Sequence, residues 1–94
     1  MVIGALKVQM RINGARSLKE KRKVLKSIKD RVKQMNISIA EVDDQDKWQA
    51  ATIGLAVVSN DAVHINSMMD KVMNVFYSNG DLEILNSQFE IVHV

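Results

Sequence analysis

Two groups of side chains have the types and spacing to do chemistry: a periodic row of cations and a short run of acids. The cations recur at positions i, i+3, i+7, i+10 and i+14 and are Lys19, Arg22, Lys26, Lys29 and Lys33. The acids follow within a single short segment and are Glu41, Asp43, Asp44 and Asp46. Ammonium and guanidinium groups bind phosphate, whereas clustered carboxylates bind divalent cations or exchange protons.

The spacing of the five cations predicts one continuous row along a helix, which we call the basic stripe. At a rise of about 1.5 Å per residue the row is roughly 21 Å long, enough to follow several phosphates of a nucleic-acid backbone. Glu20 and Asp30 are expected to lie off the row and to leave it uninterrupted. With Arg16 at the start of the helix, the basic stripe forms the candidate nucleic-acid-binding set.

Cations also crowd the start of this helix, namely Arg16, Lys19, Lys21, Arg22 and Lys23. Positive charge at a helix N-terminus opposes the helix dipole, at about a few tenths of a kcal/mol for each group. A bound phosphate would relieve this repulsion, because the free N–H groups of the first turn already favour an anion. The alternative is a solvated face whose lysine stems cover the edge of the core. Both interpretations stay open.

The acidic run matches no metal-binding loop, since a calcium loop needs a glycine and a distal glutamate that are not placed correctly here. We favour a solvated hairpin tip, or an internal counter-charge for the basic helix, over a metal site. Trp48 is expected to anchor a core edge or a subunit contact rather than a ligand. His64 and His93 have no partner at a metal-ligand spacing, so both are interpreted as structural. No metal, cofactor or catalytic residue is predicted.

Length and composition limit the class of protein. The chain has 94 residues, 47% of them hydrophobic, and no cysteine. One domain, 1–94, is expected at this length, and disulfides and thiolate metal sites are excluded. The first apolar run, Met1 to Leu6, is too short for a signal peptide or a membrane span. A cytoplasmic protein with no membrane partner is therefore expected.

The net charge of +2 conceals a strong asymmetry. Residues 1–36 hold 11 basic and 2 acidic residues, and residues 37–94 hold 2 basic and 9 acidic ones. Such asymmetry indicates an electrostatic partner for one half, or two halves that neutralise each other.

Hydrophobic periodicity predicts the elements that must position these side chains. Alternation predicts strands at 2–12, 37–43, 49–58 and 82–93, the last broken near Asn86–Ser87. Helical spacing predicts one helix at 17–35, with a capping box at Ser17–Glu20, and another from Ser59–Asp61 to Asn79–Gly80. The order βαββαβ favours an α+β, ferredoxin-like sandwich: a four-stranded antiparallel sheet with two helices on one face.

The opposite face of this sheet would hold small apolar and polar side chains and no aromatic ring. Its members would be Ile3, Ala5, Lys7, Gln9, Arg11, Thr52, Gly54, Ala56 and Val58. Stacking of RNA bases on sheet aromatics is therefore disfavoured, which leaves binding to backbone shape and charge. Because this face is poorly suited to water, we expect a homodimer through it or along an edge strand.

Two segments, Ala15–Arg22 and Glu41–Gln49, together with Ser59–Asp61, resemble the motifs of the YlxP-like bacterial family. The resemblance extends over nearly the whole chain. It implies a ferredoxin-like fold in a small cytoplasmic protein whose function is uncharacterised, and it brings no catalytic residues. Genes of that family often lie beside those for translation initiation and ribosome maturation factors, which favours an RNA or ribosome role by association.

Three hypotheses follow, in decreasing order of preference. The first is a non-enzymatic RNA- or ribosome-associated accessory factor that binds phosphates through Arg16 and the basic stripe. The second is a homo-oligomeric protein-interaction module with no nucleic-acid role. The third is an enzyme built on Glu41–Asp46, which would need a bound divalent ion or a deep cleft beside these carboxylates.

Overall fold

The computed structural model describes all 94 residues and has six secondary-structure elements. Four strands form one antiparallel sheet, and two helices cover it. The six elements are β1 (Val2–Ile12), α1 (Leu18–Lys33), β2 (Ser38–Asp43), β3 (Ala50–Ser59), α2 (Ala62–Tyr77) and β4 (Leu82–His93). The strand order is β2-β3-β1-β4, and each neighbouring pair is antiparallel. The predicted ferredoxin-like arrangement is confirmed. Neither helix is long and apolar enough to cross a membrane.

The first helix begins at the predicted capping box. The Ser17 hydroxyl accepts a hydrogen bond from the Glu20 backbone N–H at 3.1 Å, and the Glu20 carboxylate accepts one from the backbone N–H of Arg16. These bonds satisfy amide groups that have no partner inside the helix. α1 ends at Lys33, two residues before the predicted end at 35, and the chain then turns through Asn36 at a φ of +61°.

The core lies between the helices and one face of the sheet. Alternate side chains of β1 and β3 point into it, and the inward faces of both helices cover them. Gly4 lets α2 approach β1 closely, because a Cβ at this position would lie 2.5 Å from Ile65 Cγ2. The buried residues of α2, which include Ile65 and Phe76, are those that helical spacing predicts.

Two β-bulges shape the edges of the sheet. In β4 the register shifts opposite Gln9 and Met10, so the predicted break near Asn86–Ser87 is a bulge in a continuous strand. In β2 the register shifts between Glu41 and Asp43, and Val42 folds over Gly54 on the face opposite the helices. A Cβ on Gly54 would lie 2.9 Å from Val42 Cγ1, so the glycine gives the bulge its room.

The helices divide the sheet between them. α1 packs on β2, whereas α2 packs on β1, β3 and β4. Because β2 is an edge strand, α1 runs along one margin of the molecule. This margin carries the basic stripe.

Candidate nucleic-acid interface

Four of the six candidate cations line one recess between α1 and the edge strand β2. The recess has a volume of about 230 Å³, and its charged lining is Arg22, Lys26, Lys29, Lys33, Asp30 and Glu41. The other two candidates, Arg16 and Lys19, are exposed at the N-terminal end of the helix. The spacing thus places the cations on one helix edge beside an open strand.

Most of these cations have no acidic partner. The chain contains four ion pairs, and of the six candidates only Lys26 takes part in one. Its ammonium lies 2.9 Å from Asp30 Oδ2, and both side chains are exposed. The expectation that Asp30 leaves the stripe uninterrupted is wrong, because side chains four residues apart on a helix lie next to each other. The hydrogen bond from Lys26 lowers the pKa of Asp30.

Lys21 does not belong to the exposed cations at the helix start, which corrects the sequence interpretation. Its side chain is 1% exposed, its Nζ lies 2.7 Å from Glu41 Oε2, and it donates a hydrogen bond of 2.6 Å to the Asp44 carbonyl. The signal was present in the sequence: positions 18, 21, 25, 28 and 32 follow the helical repeat of the core. A lysine in that series had to point inward.

The Lys21–Glu41 pair is the internal counter-charge that the acidic run suggested. Glu41 Oε2 is buried, and no group donates a well-aligned hydrogen bond to it, so the neighbouring ammonium is its compensation. An ion placed in a protein interior without an opposite charge is destabilising by several kcal/mol, roughly. Each partner therefore depends on the other, and the pair fixes β2 against α1.

Asp44 organises the hairpin between β2 and β3. Its φ of +62° is left-handed, and its carboxylate accepts a hydrogen bond from Thr52 Oγ1 at 2.8 Å and pairs with Lys47 Nζ at 3.0 Å. The Thr52 hydrogen bond, with a second from Lys47, lowers the pKa of Asp44. The same carboxylate raises the pKa of Lys47. Thr52 lies on the predicted open face but is buried, because the hairpin folds over it.

The hairpin is also tied to the chain before α1. Gln49 Nε2 donates to the Ala15 carbonyl at 3.0 Å, and the Gln49 carbonyl accepts from the Ile12 backbone N–H at 2.9 Å. The segments Ala15–Arg22 and Glu41–Gln49 are therefore in direct contact. Trp48, which precedes this anchor, is 54% exposed, so the expectation that it anchors a core edge is wrong. The alternative, a subunit contact, stays a prediction.

The acidic run forms no metal site. No three histidine or carboxylate side chains come together in a way that could hold a metal ion. Glu41 is the only acid of the run that lines a cavity, and it does so among cations. His64 and His93 are both exposed.

The sheet face opposite the helices carries a broad groove of about 680 Å³. Its floor is built of small residues, which include Ala5, Ala40, Gly54 and Ala56. Phe89 lies at its rim, but it pairs with the core residue Leu6, which places its side chain on the helix face. The groove therefore has no aromatic floor, in agreement with the sequence.

Comparisons with known proteins agree with this architecture. The family described as "Protein of unknown function (DUF503)" matches residues 3–89. A protein of Bacillus subtilis (strain 168), described as "Uncharacterized protein YlxP", is 39% identical over 83 residues, which cover 87% of this chain and 90% of that relative.

Two designed proteins of known structure share the fold. Foldit4 has a TM-score of 0.57 at 9% identity and covers 98% of both chains. LFR1 1, described as having a ferredoxin fold, has a TM-score of 0.57 at 12% identity, over 98% of this chain and 84% of its own. At such low identity these likenesses bear on the fold alone.

Proposed function

Since the chain belongs to the DUF503 family, whose description names no activity, we propose from its own geometry that it is a non-enzymatic RNA- or ribosome-associated accessory factor. In this proposal the outer edge of α1 binds the phosphate backbone. The contacts are made by Arg16 and the basic stripe.

One observation carries the proposal: five of these six cations have no carboxylate paired to them. Four of the five lie on one edge of α1, and Arg16 comes just before the helix. Like charges at i, i+3 and i+4 on a helix repel each other. The second half of the chain has an excess of acidic residues, but Glu41 pairs with Lys21 and Asp44 pairs with Lys47 rather than with the stripe. The charge left over is concentrated on the edge of α1, where an external polyanion would neutralise it.

The shape of this surface favours a backbone rather than a single phosphate. The residues that line the recess run along α1 from Arg22 to Lys33, and the recess lies beside an edge strand. Cations spread over about 21 Å match successive phosphates of a nucleic acid better than one small ligand. The sheet offers no aromatic floor, so recognition by base stacking on the sheet does not apply.

The test compares two double charge-reversal variants that change the net charge of the protein by the same amount. Arg22→Glu with Lys29→Glu removes two unpaired cations from the stripe. Lys23→Glu with Arg31→Glu makes the same change elsewhere on α1, at two exposed positions. Binding of a fluorescent structured RNA, followed by anisotropy, should fall at least about tenfold for the stripe variant, the effect of losing two phosphate contacts. Equal losses in both variants would show that only net charge matters and would reject the proposal.

A second candidate function is self-association through the sheet face, because that face carries an uncovered groove of small residues. The four strands lie about 4.8 Å apart and average about ten residues, each of which adds about 3.4 Å of length. The sheet face therefore measures roughly 650 Å² per copy, or about 1,300 Å² for two copies, which is within the range of specific interfaces. Arg11 pairs with Glu83 across β1 and β4, and Lys7 and Glu90 both line the groove. The face thus carries both signs of charge and can complement a second copy of itself. A second copy is the occupant that we propose.

Sedimentation equilibrium tests this candidate. Ala56→Glu places a charge in the middle of the groove at an exposed position, so the fold tolerates it while a dimer would dissociate. Ser67→Glu on the exposed side of α2 is the control and should keep the mass of the wild type. A wild-type protein that is monomeric at all concentrations would eliminate self-association.

A further inference from the structure

We propose that Trp48 is a stacking site for an unpaired base at the N-terminal end of the basic stripe, so that the ligand is single-stranded RNA or a loop beside a helix. This inference rests on the proposed function and deepens it. The first observation behind it is that Trp48 is 54% exposed. Large aromatic side chains usually bury most of their surface, and an exposed one is informative when its backbone is held in place.

The hairpin that carries Trp48 is held in place on both sides. Before it, Asp44 accepts from Thr52 Oγ1 at 2.8 Å through its carboxylate and from Lys21 Nζ at 2.6 Å through its carbonyl. After it, Gln49 is bonded to Ala15 and Ile12. A ring on such an anchored turn loses little conformational entropy when a ligand stacks on it.

The anchors also determine where the hairpin that carries Trp48 lies. Glu41 pairs with Lys21 on the inner side of α1, and it lines the same recess as Arg22, Lys26 and Lys29. Gln49, next to Trp48 in the chain, bonds to Ala15, which precedes Arg16. The hairpin is therefore bound to the first turn of α1, where the cationic edge starts. The buried Lys21–Glu41 ion pair holds the hairpin in this position.

The combination of cations and one ring defines the class of ligand. A row of cations follows the backbone, and a single aromatic ring accepts any base, since every base has a π-face. Bases in a duplex are already stacked on each other, so only an unpaired base can use the ring. We expect preference for single strands with little sequence selectivity.

Trp48 is the only tryptophan of the chain, so its fluorescence reports on this site alone. The probes are a short oligoadenylate and a duplex RNA of equal length. Oligoadenylate should quench the fluorescence with the same Kd that anisotropy gives. Trp48→Ala should weaken oligoadenylate binding about tenfold and leave duplex binding unchanged, and Trp48→Phe should keep most of the affinity. Tyr77→Ala, an exposed aromatic on α2, is the control and should have no effect.

The outcomes separate this inference from the function on which it rests. If oligoadenylate binds through Arg22 and Lys29 but neither quenches Trp48 nor responds to Trp48→Ala, the stacking site is rejected and the backbone-binding function stands. If neither RNA binds, both are rejected. If Trp48→Ala lowers the sedimentation mass while RNA binding is unchanged, the ring is a protein contact and the stacking site is again rejected.

Discussion

The buried ammonium of Lys21 lies 2.7 Å from Glu41 Oε2, which joins the first turns of α1 to the edge strand β2. The two longer segments that carry the family resemblance, Ala15–Arg22 and Glu41–Gln49, are thus joined by this ion pair. Its role is positional: it holds the β2–β3 hairpin against the helix whose outer edge bears the unpaired cations.

This pair predicts a strong and specific effect on stability. Lys21→Met should lower the free energy of unfolding by about 3 kcal/mol, because it leaves the buried Glu41 carboxylate without its counter-charge. Lys21→Met combined with Glu41→Met should recover most of that loss, since no buried charge remains. Urea unfolding followed by circular dichroism measures both, with the exposed Lys71→Met as control. A double variant that is less stable than Lys21→Met would contradict the counter-charge role.

Asp44 predicts a pH dependence. Its pKa is lowered in the folded protein, chiefly by the Thr52 hydrogen bond and then by Lys47. A carboxyl with a depressed pKa contributes stability above its unfolded pKa of about 4, and this is lost as pH falls through the folded value. Asp44→Asn should therefore be less stable than wild type at pH 7, and the difference should shrink below about pH 4. Urea unfolding at several pH values checks this, and a difference constant with pH would refute it.

Asp30 predicts an improvement in binding. Its carboxylate neutralises Lys26, so Asp30→Asn should free a fifth cation in the stripe and tighten structured-RNA binding about two- to fivefold. Asp70→Asn, an exposed acid on α2, makes the same change in net charge away from the stripe. Anisotropy titrations compare the two variants. Equal improvement from Asp70→Asn would mean that overall charge, rather than the α1 edge, sets the affinity.

Two glycines predict different responses to a methyl group. At Gly4 a Cβ would lie 2.5 Å from Ile65 Cγ2 and 3.2 Å from Val57 Cγ1, both in the closed core. Gly4→Ala should cost about 2 kcal/mol, within the usual range for overpacking. At Gly54 the neighbour is Val42, which is 51% exposed and can move outward. Gly54→Ala should be clearly milder in thermal unfolding, and the reverse order would contradict this packing.

Local patterns were sufficient to predict most of the fold. Alternation in β1, the Ser17–Glu20 capping box and the helical spacing of α2 each depend on neighbours in sequence, and each is confirmed. The bulge at Val42 was not predictable, because it depends on the space that Gly54 leaves on the adjacent strand. The alternation of apolar and polar residues along β2 carries no information about a glycine on the neighbouring strand.

The candidate site was predicted less completely, for two physical reasons. The charge of Lys21 suggests an exposed side chain, although its helical position places it among the core residues. The expected separation of Asp30 from the stripe rests on helical-wheel angles, which ignore the length of a side chain, and Lys26 is long enough to reach Asp30. The partners of a charge depend on tertiary contacts such as Lys21–Glu41, which sequence spacing alone does not define.

The dependence of RNA affinity on salt concentration tests the central claim, that the edge of α1 binds a phosphate backbone. Four neutralised phosphates predict a log–log slope of about −3 for wild type, since each contact on a single strand contributes about −0.7. Arg22→Ala with Lys29→Ala should reduce its magnitude to about 1.4, because two contacts are lost. A slope that is the same in wild type and variant, or near zero in both, would contradict the claim.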